Sequence, residues 1–290
     1  MERFEPFPQC ADCLLSLAKK SPAVAELEDP RLRKEVEASA VRILRHAEEE
    51  GLTSPQTANL ILRDIRRITS RDDPFGPIKR EEMARARDVF SNLEQEAAGD
   101  LRRRVELAAL GNSFDFFNKP EEAMREVPEA IRKGIAFYRD DVGRFGEALR
   151  KKVRSAIYLT DNSGEIYFDL PLYEYIRDRS ERIVLVVKGG PSLNDLTRVE
   201  LKESGLESRF SEIADTGTEG VGIDWNHVSE SFRALVSQSD LIVAKGMANF
   251  ESLYAEEMNG SVFFIFKAKC RPIQDFLNAP PESFMALLKP

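Results

Sequence analysis

Two histidines and three cysteines in 290 residues leave little material for the commonest catalytic and structural centres. His46 and His227 are too few for a histidine-based zinc centre, and His46 falls on an amphipathic helical pattern, which also argues against a Ser-His-Asp triad. An odd number of cysteines, Cys10, Cys13 and Cys270, spells no disulfide framework and reads as reduced thiols. No apolar run approaches the ~20 residues that span a bilayer. The start, Met1-Glu2-Arg3-Phe4-Glu5, lacks the basic and apolar regions of a signal peptide, so a cytoplasmic protein without membrane partners is expected. No Gly-x-x-x-x-Gly-Lys-Ser/Thr loop is present, and Gly189-Gly190 is too short for a dinucleotide fingerprint. A basic domain is missing too. The net charge is −8, acids outnumber bases in both halves, and no nucleic-acid partner is expected. Arg102-Arg103-Arg104 and Arg63, Arg66, Arg67 sit among acids at helical spacing, as on a solvated helix face.

What is there changes character near residue 150. Before it, three- and four-residue steps such as Ala58, Ile61, Ile65 and Ile68 predict helices over Asp29–Glu49, Ser54–Ser70, Lys79–Asn92, Leu101–Leu110 and Glu121–Arg139. Asp73-Pro74-Phe75-Gly76-Pro77 and Asn118-Lys119-Pro120 break the series. Beyond it come short apolar runs rich in β-branched and aromatic residues: Ser155–Thr160, Arg182–Val187, Asp240–Ala244 and Ser261–Phe266. They alternate with helical patterns over Glu165–Arg177, Leu196–Glu203, Asn226–Gln238 and Phe250–Glu257. Near-continuous apolarity suits strands covered on both faces. The expectation is an α/β fold, a three-layer αβα sandwich with a mostly parallel sheet over residues 151–290, preceded by an all-helical domain over 1–150.

In such sheets ligands bind at the carboxyl ends of the strands, where loops converge and helix N-termini offer free N–H groups. Here those ends are polar: Asp161-Asn162-Ser163-Gly164-Glu165, Lys188 through Asn194-Asp195, Lys245-Gly246-Met247-Ala248-Asn249, and Lys267-Ala268-Lys269. Carboxylate and amide oxygens suit a hard divalent ion such as Mg²⁺ or Mn²⁺, and the lysines would balance phosphate charge. A metal there would polarise a phosphoryl group and acidify a bound water. The plainer reading is that Asp161 and Asn162 cap the next helix, and Asp195 the helix opening at Leu196. Ser163 stands where an aspartyl-phosphate mechanism would need a second Asp, so Asp161 reads as a ligand and not as a nucleophile.

Four stretches together resemble the metal-dependent damage-control phosphatases: Cys10-Ala11-Asp12-Cys13, Gly111-Asn112-Ser113-Phe114-Asp115, Asp161-Asn162-Ser163-Gly164-Glu165-Ile166-Tyr167-Phe168-Asp169, and Lys267-Ala268-Lys269-Cys270. The third string is the most specific, and the early Cys-x-x-Cys resembles the family's first subfamily. The resemblance implies a helical domain on an αβα sandwich, with the metal held by Asp161, Asn162 and Asp195. It implies phosphate contacts from Lys245, Asn249 and Lys269, with Lys267 as competitor, and places Asn112 and Asp115 in a motif that closes over the site. Glu165 belongs to the same string, either lining the site or serving as a first-turn acid that favours the helix dipole. The Gly-bearing loop at Asp215-Thr216-Gly217 is a further candidate lining. Family members act on small phosphorylated metabolites, such as sugar phosphates and damaged nucleotides or cofactors, with Mn²⁺, Ni²⁺, Co²⁺ or Mg²⁺.

Two other readings carry different chemistry. A non-enzymatic metal- or thiol-binding module would rest on Cys10 and Cys13, with Cys270 as a third thiol. A carboxyl methyltransferase would need an S-adenosylmethionine pocket, and no glycine-rich first-strand loop of the usual kind is visible.

Overall fold

The computed structural model describes residues 10–24, 29–91, 99–113 and 129–290. Its centre is a seven-stranded sheet in the order β1-β7-β6-β5-β2-β3-β4. The strands are β1 (Phe137–Asp140), β2 (Val153–Leu159), β3 (Ser180–Val187), β4 (Ile213–Asp215), β5 (Leu241–Lys245), β6 (Ser261–Ala268) and β7 (Ser283–Lys289). β6, β5, β2, β3 and β4 run parallel, while β7 pairs antiparallel with β6 and parallel with β1. The αβα expectation therefore holds. The four expected strands match β2, β3, β5 and β6 to within two residues at each end.

Three strands carry no comparable signal. β4 is three residues long and β1 four, both at the sheet edges, and β7 reads as an ordinary apolar stretch at the chain's end. The helix expected over Glu121–Arg139 is corrected in its described part: helix persists only to residue 133, and Phe137–Asp140 is strand β1. Gly134, with φ of 74°, breaks the helix between them. Strand β1 thus belongs to the sheet and the helix Val142–Arg150 packs on β7, both ahead of residue 151.

Two apolar clusters cover the two faces of the sheet. One gathers Phe145, Tyr158, Phe168, Tyr173, Val243 and Phe263; the other gathers Ile157, Val184, Phe232, Phe250, Phe264 and Phe266. Alternation along β6 sends Phe263 to one face and Phe264 and Phe266 to the other, each worth roughly 2–3 kcal/mol of burial. The helices Gly76–Ser91 and Leu101–Gly111 contribute Met83, Phe90, Val105 and Leu107 to the first of these clusters. The helices Ala11–Val24, Pro30–Glu50 and Ser54–Thr69 form a third, separate cluster, closed by Phe75 and Val221. Helix Ser54–Thr69 begins with a capping box in which Thr53 and Gln56 satisfy each other's backbone N–H groups. Among the described residues no helix is long and apolar enough to cross a membrane.

Candidate active site

The loops after β2 and β3 are laced together. Asn162 and Asp195 form an antiparallel bridge, the Leu196 N–H donates to the Asp161 carbonyl at 2.9 Å, and the Ser163 N–H and hydroxyl both donate to the Asn194 carbonyl at 2.8 Å. Neither loop uses its acidic or amide side chain as a helix cap. Asn162 precedes the 3₁₀ turn Ser163–Glu165 without a side-chain capping bond, and the helix Arg198–Glu203 is capped by Thr197, not Asp195. The capping alternative is thereby removed, and the side chains of Asp161, Asn162 and Asp195 are left to the rim.

Glu165 is the hub beneath them, fully buried. Its carboxylate accepts from Asn112 Nδ2 at 2.7 Å, from Asn162 Nδ2 at 2.7 Å and from Lys245 Nζ at 2.7 Å. Asn112, at the end of the helix Leu101–Gly111, also donates to Asp161 Oδ2 at 2.9 Å and accepts from the Lys267 N–H at 3.0 Å. One amide thus ties the helical layer to β2 and β6. Asp115 lies outside the described residues.

Lys245 is also fully buried and donates to Asp169 Oδ1 at 2.7 Å as well as to Glu165. It is therefore engaged by two carboxylates of the Asp161–Asp169 string. Asp169 closes that string, and the signal for its part in the site is its position on the helix Ile166–Arg177 one turn after the N-cap Glu165. Gly246 follows Lys245 with φ of 80°, and a Cβ there would overlap the Asp161 carboxylate, so glycine is required on both counts. Asn249 spends its amide nitrogen on the carbonyls of Thr160 at 3.1 Å and Lys245 at 2.7 Å, leaving a buried Oδ1 without a partner.

The two late lysines differ. Lys267 Nζ pairs with Glu282 at 2.7 Å. The charge of Lys269 acts on Asp161 and draws its proton affinity down. On the β3 side, Lys188 pairs with Asp195 at 3.5 Å and donates to the Gly222 carbonyl at 2.8 Å. The loop at Thr216 and Gly217 stands beside it, with the Gly189 N–H donating to the Thr218 carbonyl.

Electrostatically the rim sets the carboxylates of Asp161, Glu165, Asp169 and Asp195 among the charges of Lys188, Lys245 and Lys269. Burial, followed by the charges of Glu165 and Asp195, holds Asp161 well above the usual carboxylate range. Asp195 is pushed up to about 6 by burial against the pull of Lys188, and Asp169 to about 6 by burial against the pull of Lys245. Burial alone would lower Lys245, but Asp169 and Glu165 more than offset it and hold the ammonium charged.

Such a set favours a bound cation. The amide nitrogen of Asn162 is committed to Glu165, so Asn162 can offer Oδ1 beside the carboxylates of Asp161 and Asp195. Two carboxylates and an amide oxygen suit a hard or borderline divalent ion. Among the described residues no three His, Cys, Asp or Glu side chains form a metal cluster on their own.

The cysteines stand elsewhere. Cys10 is buried, Cys270 half-buried and Cys13 exposed, and none of the three is in a disulfide. Cys10 and Cys270 feel each other, Cys13 and Glu251, and burial pushes them up to about 11 and about 12.

A parallel sheet with this laced carboxylate rim defines an α/β protein built around a charged strand-end site. The family model described as the damage-control phosphatase ARMT1-like domain matches residues 7–283, and the chain belongs to that family. It is 32% identical to damage-control phosphatase PH1575 of Pyrococcus horikoshii, over 95% of this chain and 96% of that protein. It is 28% identical to a damage-control phosphatase of Archaeoglobus fulgidus, over 92% and 93% of the two chains. The crystal structure of the DUF89 family protein PH1575 from P. horikoshii superposes with a TM-score of 0.86 at 30% identity, covering 96% of both chains.

Proposed function

We propose that this protein is a metal-dependent phosphatase that hydrolyses phosphomonoesters of small metabolites, sugar phosphates or damaged nucleotides and cofactors, in the cytoplasm. The observation that carries the reading is the lacing of the β2 and β3 loops, which sets Asp161, Asn162 and Asp195 on one rim within the field of Lys269. Cysteines outside any disulfide fit a reducing compartment.

Asp161, Asn162 and Asp195 would hold the ion, with Mn²⁺, Ni²⁺, Co²⁺ and Mg²⁺ as candidates. When bound, it would supply Lewis-acid polarisation of the phosphoryl group and acidify a water for attack on phosphorus. Lys269 is assigned to meet phosphate charge because its own charge acts on Asp161, a proposed ligand of the ion. Lys245 acts from beneath: it holds Glu165 and Asp169, and Glu165 in turn orients the amides of Asn112 and Asn162. Asn112 fixes Asp161 through Oδ2, so substrate binding and the helical layer are mechanically linked. Asn249 offers an acceptor, Oδ1, and not a donor, so it suits a water or a cation better than a phosphate oxygen.

The test is hydrolysis of p-nitrophenyl phosphate by chelator-stripped protein, with each of the four ions added back and Asp161→Ala alongside. Turnover that needs metal and disappears in the variant supports the reading. Metal-independent turnover, or an active Asp161→Ala, removes it.

A further inference from the structure

Away from the rim, a cleft of about 480 Å³ opens between the start of the helix Ser54–Thr69, the segment Ile223–Asn226 and the helix Met247–Leu253 with the turn after it. That volume is in the range of small-molecule sites. Its polar lining includes Thr53, Gln56, Asp224, Trp225, Glu251 and Glu256. Three of these groups are already engaged. Thr53 and Gln56 close the capping box, and Asp224 accepts from His227 Nδ1 at 2.9 Å and from the Asn226 N–H at 3.1 Å.

Two groups are not. Trp225 Nε1 is buried and has no hydrogen-bond partner, although an enclosed indole N–H normally finds one. Glu251 makes no hydrogen bond and no ion pair with any described residue; burial alone lifts it to about 7, and its charged neighbours Asp224 and Glu256 on the same cleft are also acids. A half-buried carboxylate without a cation is unfavourable, as is a buried donor without an acceptor. A single ligand that brings both an ammonium and an oxygen acceptor would satisfy the two at once. The indole ring, packed on Phe232 at 6.1 Å and 25°, adds an apolar wall for the ligand's C–H groups.

We infer that this cleft is a second ligand site, distinct from the strand-end rim, for a small hydroxyl-bearing amine whose ammonium pairs with Glu251 and whose oxygen accepts from Trp225 Nε1. The site does not depend on the phosphatase reading. It lies close to the rim in structure: Glu251 follows Asn249 on one helix, and the Ile223 N–H donates to Ser252 Oγ at 2.9 Å next to the Gly222 carbonyl that holds Lys188.

Trp225 is the chain's single tryptophan, so fluorescence excited at the red edge, where the tyrosines do not absorb, reports on this cleft. The full-length protein is titrated in an amine-free buffer with three matched polyols: N-methylglucamine (cationic), sorbitol (neutral) and gluconate (anionic). Expected is a saturable change with N-methylglucamine, at an affinity at least about tenfold above sorbitol, and no response to gluconate. In Glu251→Gln the amine should lose about tenfold or more in affinity while sorbitol is unchanged. No saturable change with the amine, an equal response to sorbitol, or an unaltered affinity in Glu251→Gln would overturn the assignment. Should the variant not fold, the three-probe comparison on the unmodified protein still decides.

Discussion

Two regions meet along the helix Met247–Leu253, and they treat buried acids in opposite ways. On the rim, Asp161, Glu165, Asp169 and Asp195 are each met by donors or cations: Asn112, Asn162, Lys245 and Lys188. At the other corner, Glu251 and the thiols of Cys10 and Cys270 are withdrawn from water with no cation among the causes that shift them. Burial raises the proton affinity of the acids in both regions, but on the rim it is opposed by the lysines, as at Asp169 and Asp195, whereas at the corner no cation opposes it. Burial concentrates chemistry in both regions, but only compensation by neighbouring charges makes a carboxylate usable as a ligand at neutral pH.

The largest difference should be in activity. Asp195→Ala removes a proposed ligand and should cost more than the ~100-fold associated with loss of an outer-sphere partner, read as metal-activated hydrolysis of p-nitrophenyl phosphate. Activity within tenfold of the unmodified protein would dissolve the rim as a functional unit. Next is stability. Lys245→Met leaves Glu165 and Asp169 buried without their cation and should lower unfolding free energy by ~3–5 kcal/mol in urea. A loss below ~1 kcal/mol would mean that compensation is not what holds the rim.

A smaller effect separates the corner by its pH dependence. Glu251 is raised in the folded state from 4.5 to about 7, so between those values the folded chain binds the extra proton. Its contribution is thus present at low pH and lost as pH rises through about 7. Glu251→Gln should flatten that decline by on the order of 1–2 kcal/mol, after allowance for solvent screening of a half-buried group, as seen in urea midpoints across the pH range. An unchanged profile would mean that Glu251 is already neutralised by a partner. The smallest effect expected is that of Cys13→Ser, an exposed thiol, which should leave hydrolysis within about twofold. Loss of bound metal in that variant would instead favour the thiol-module reading.

Much of the fold was legible because the central strands are covered on both faces and so read as unbroken apolar runs, as in Ile157-Tyr158-Leu159 or Phe263 through Phe266. The edge strands β1 and β4 were not, since three or four residues with exposed positions leave no pattern to detect. Amphipathic period revealed the helices Gly76–Ser91 and Leu101–Gly111 but not what their apolar faces meet. Leu101–Gly111 packs on β6, β7 and the helix Ile166–Arg177, and Gly76–Ser91 on the turn Ser163–Glu165 and that same helix, whereas Pro30–Glu50 and Ser54–Thr69 pack on each other. At the site, Asp161, Asn162 and Glu165 could be singled out as neighbours in sequence. The grip of Lys245 on Asp169 spans 76 residues, and that of Asn112 on Asp161 spans 49. Side-chain direction at such separations is set by packing and has no local signature.

The sequence by itself determined a parallel α/β core with polar strand ends, because apolar runs and the residues that stop them are local properties. It also determined the family, through strings such as Asp161 to Asp169. Only the tertiary structure decided which lysine acts on Asp161 at the rim and which is buried as a counter-charge. Lys245, Lys267 and Lys269 look alike as residues, and their roles differ only because Glu165 and Asp169 engage the first, Glu282 engages the second, and the third keeps its field on Asp161.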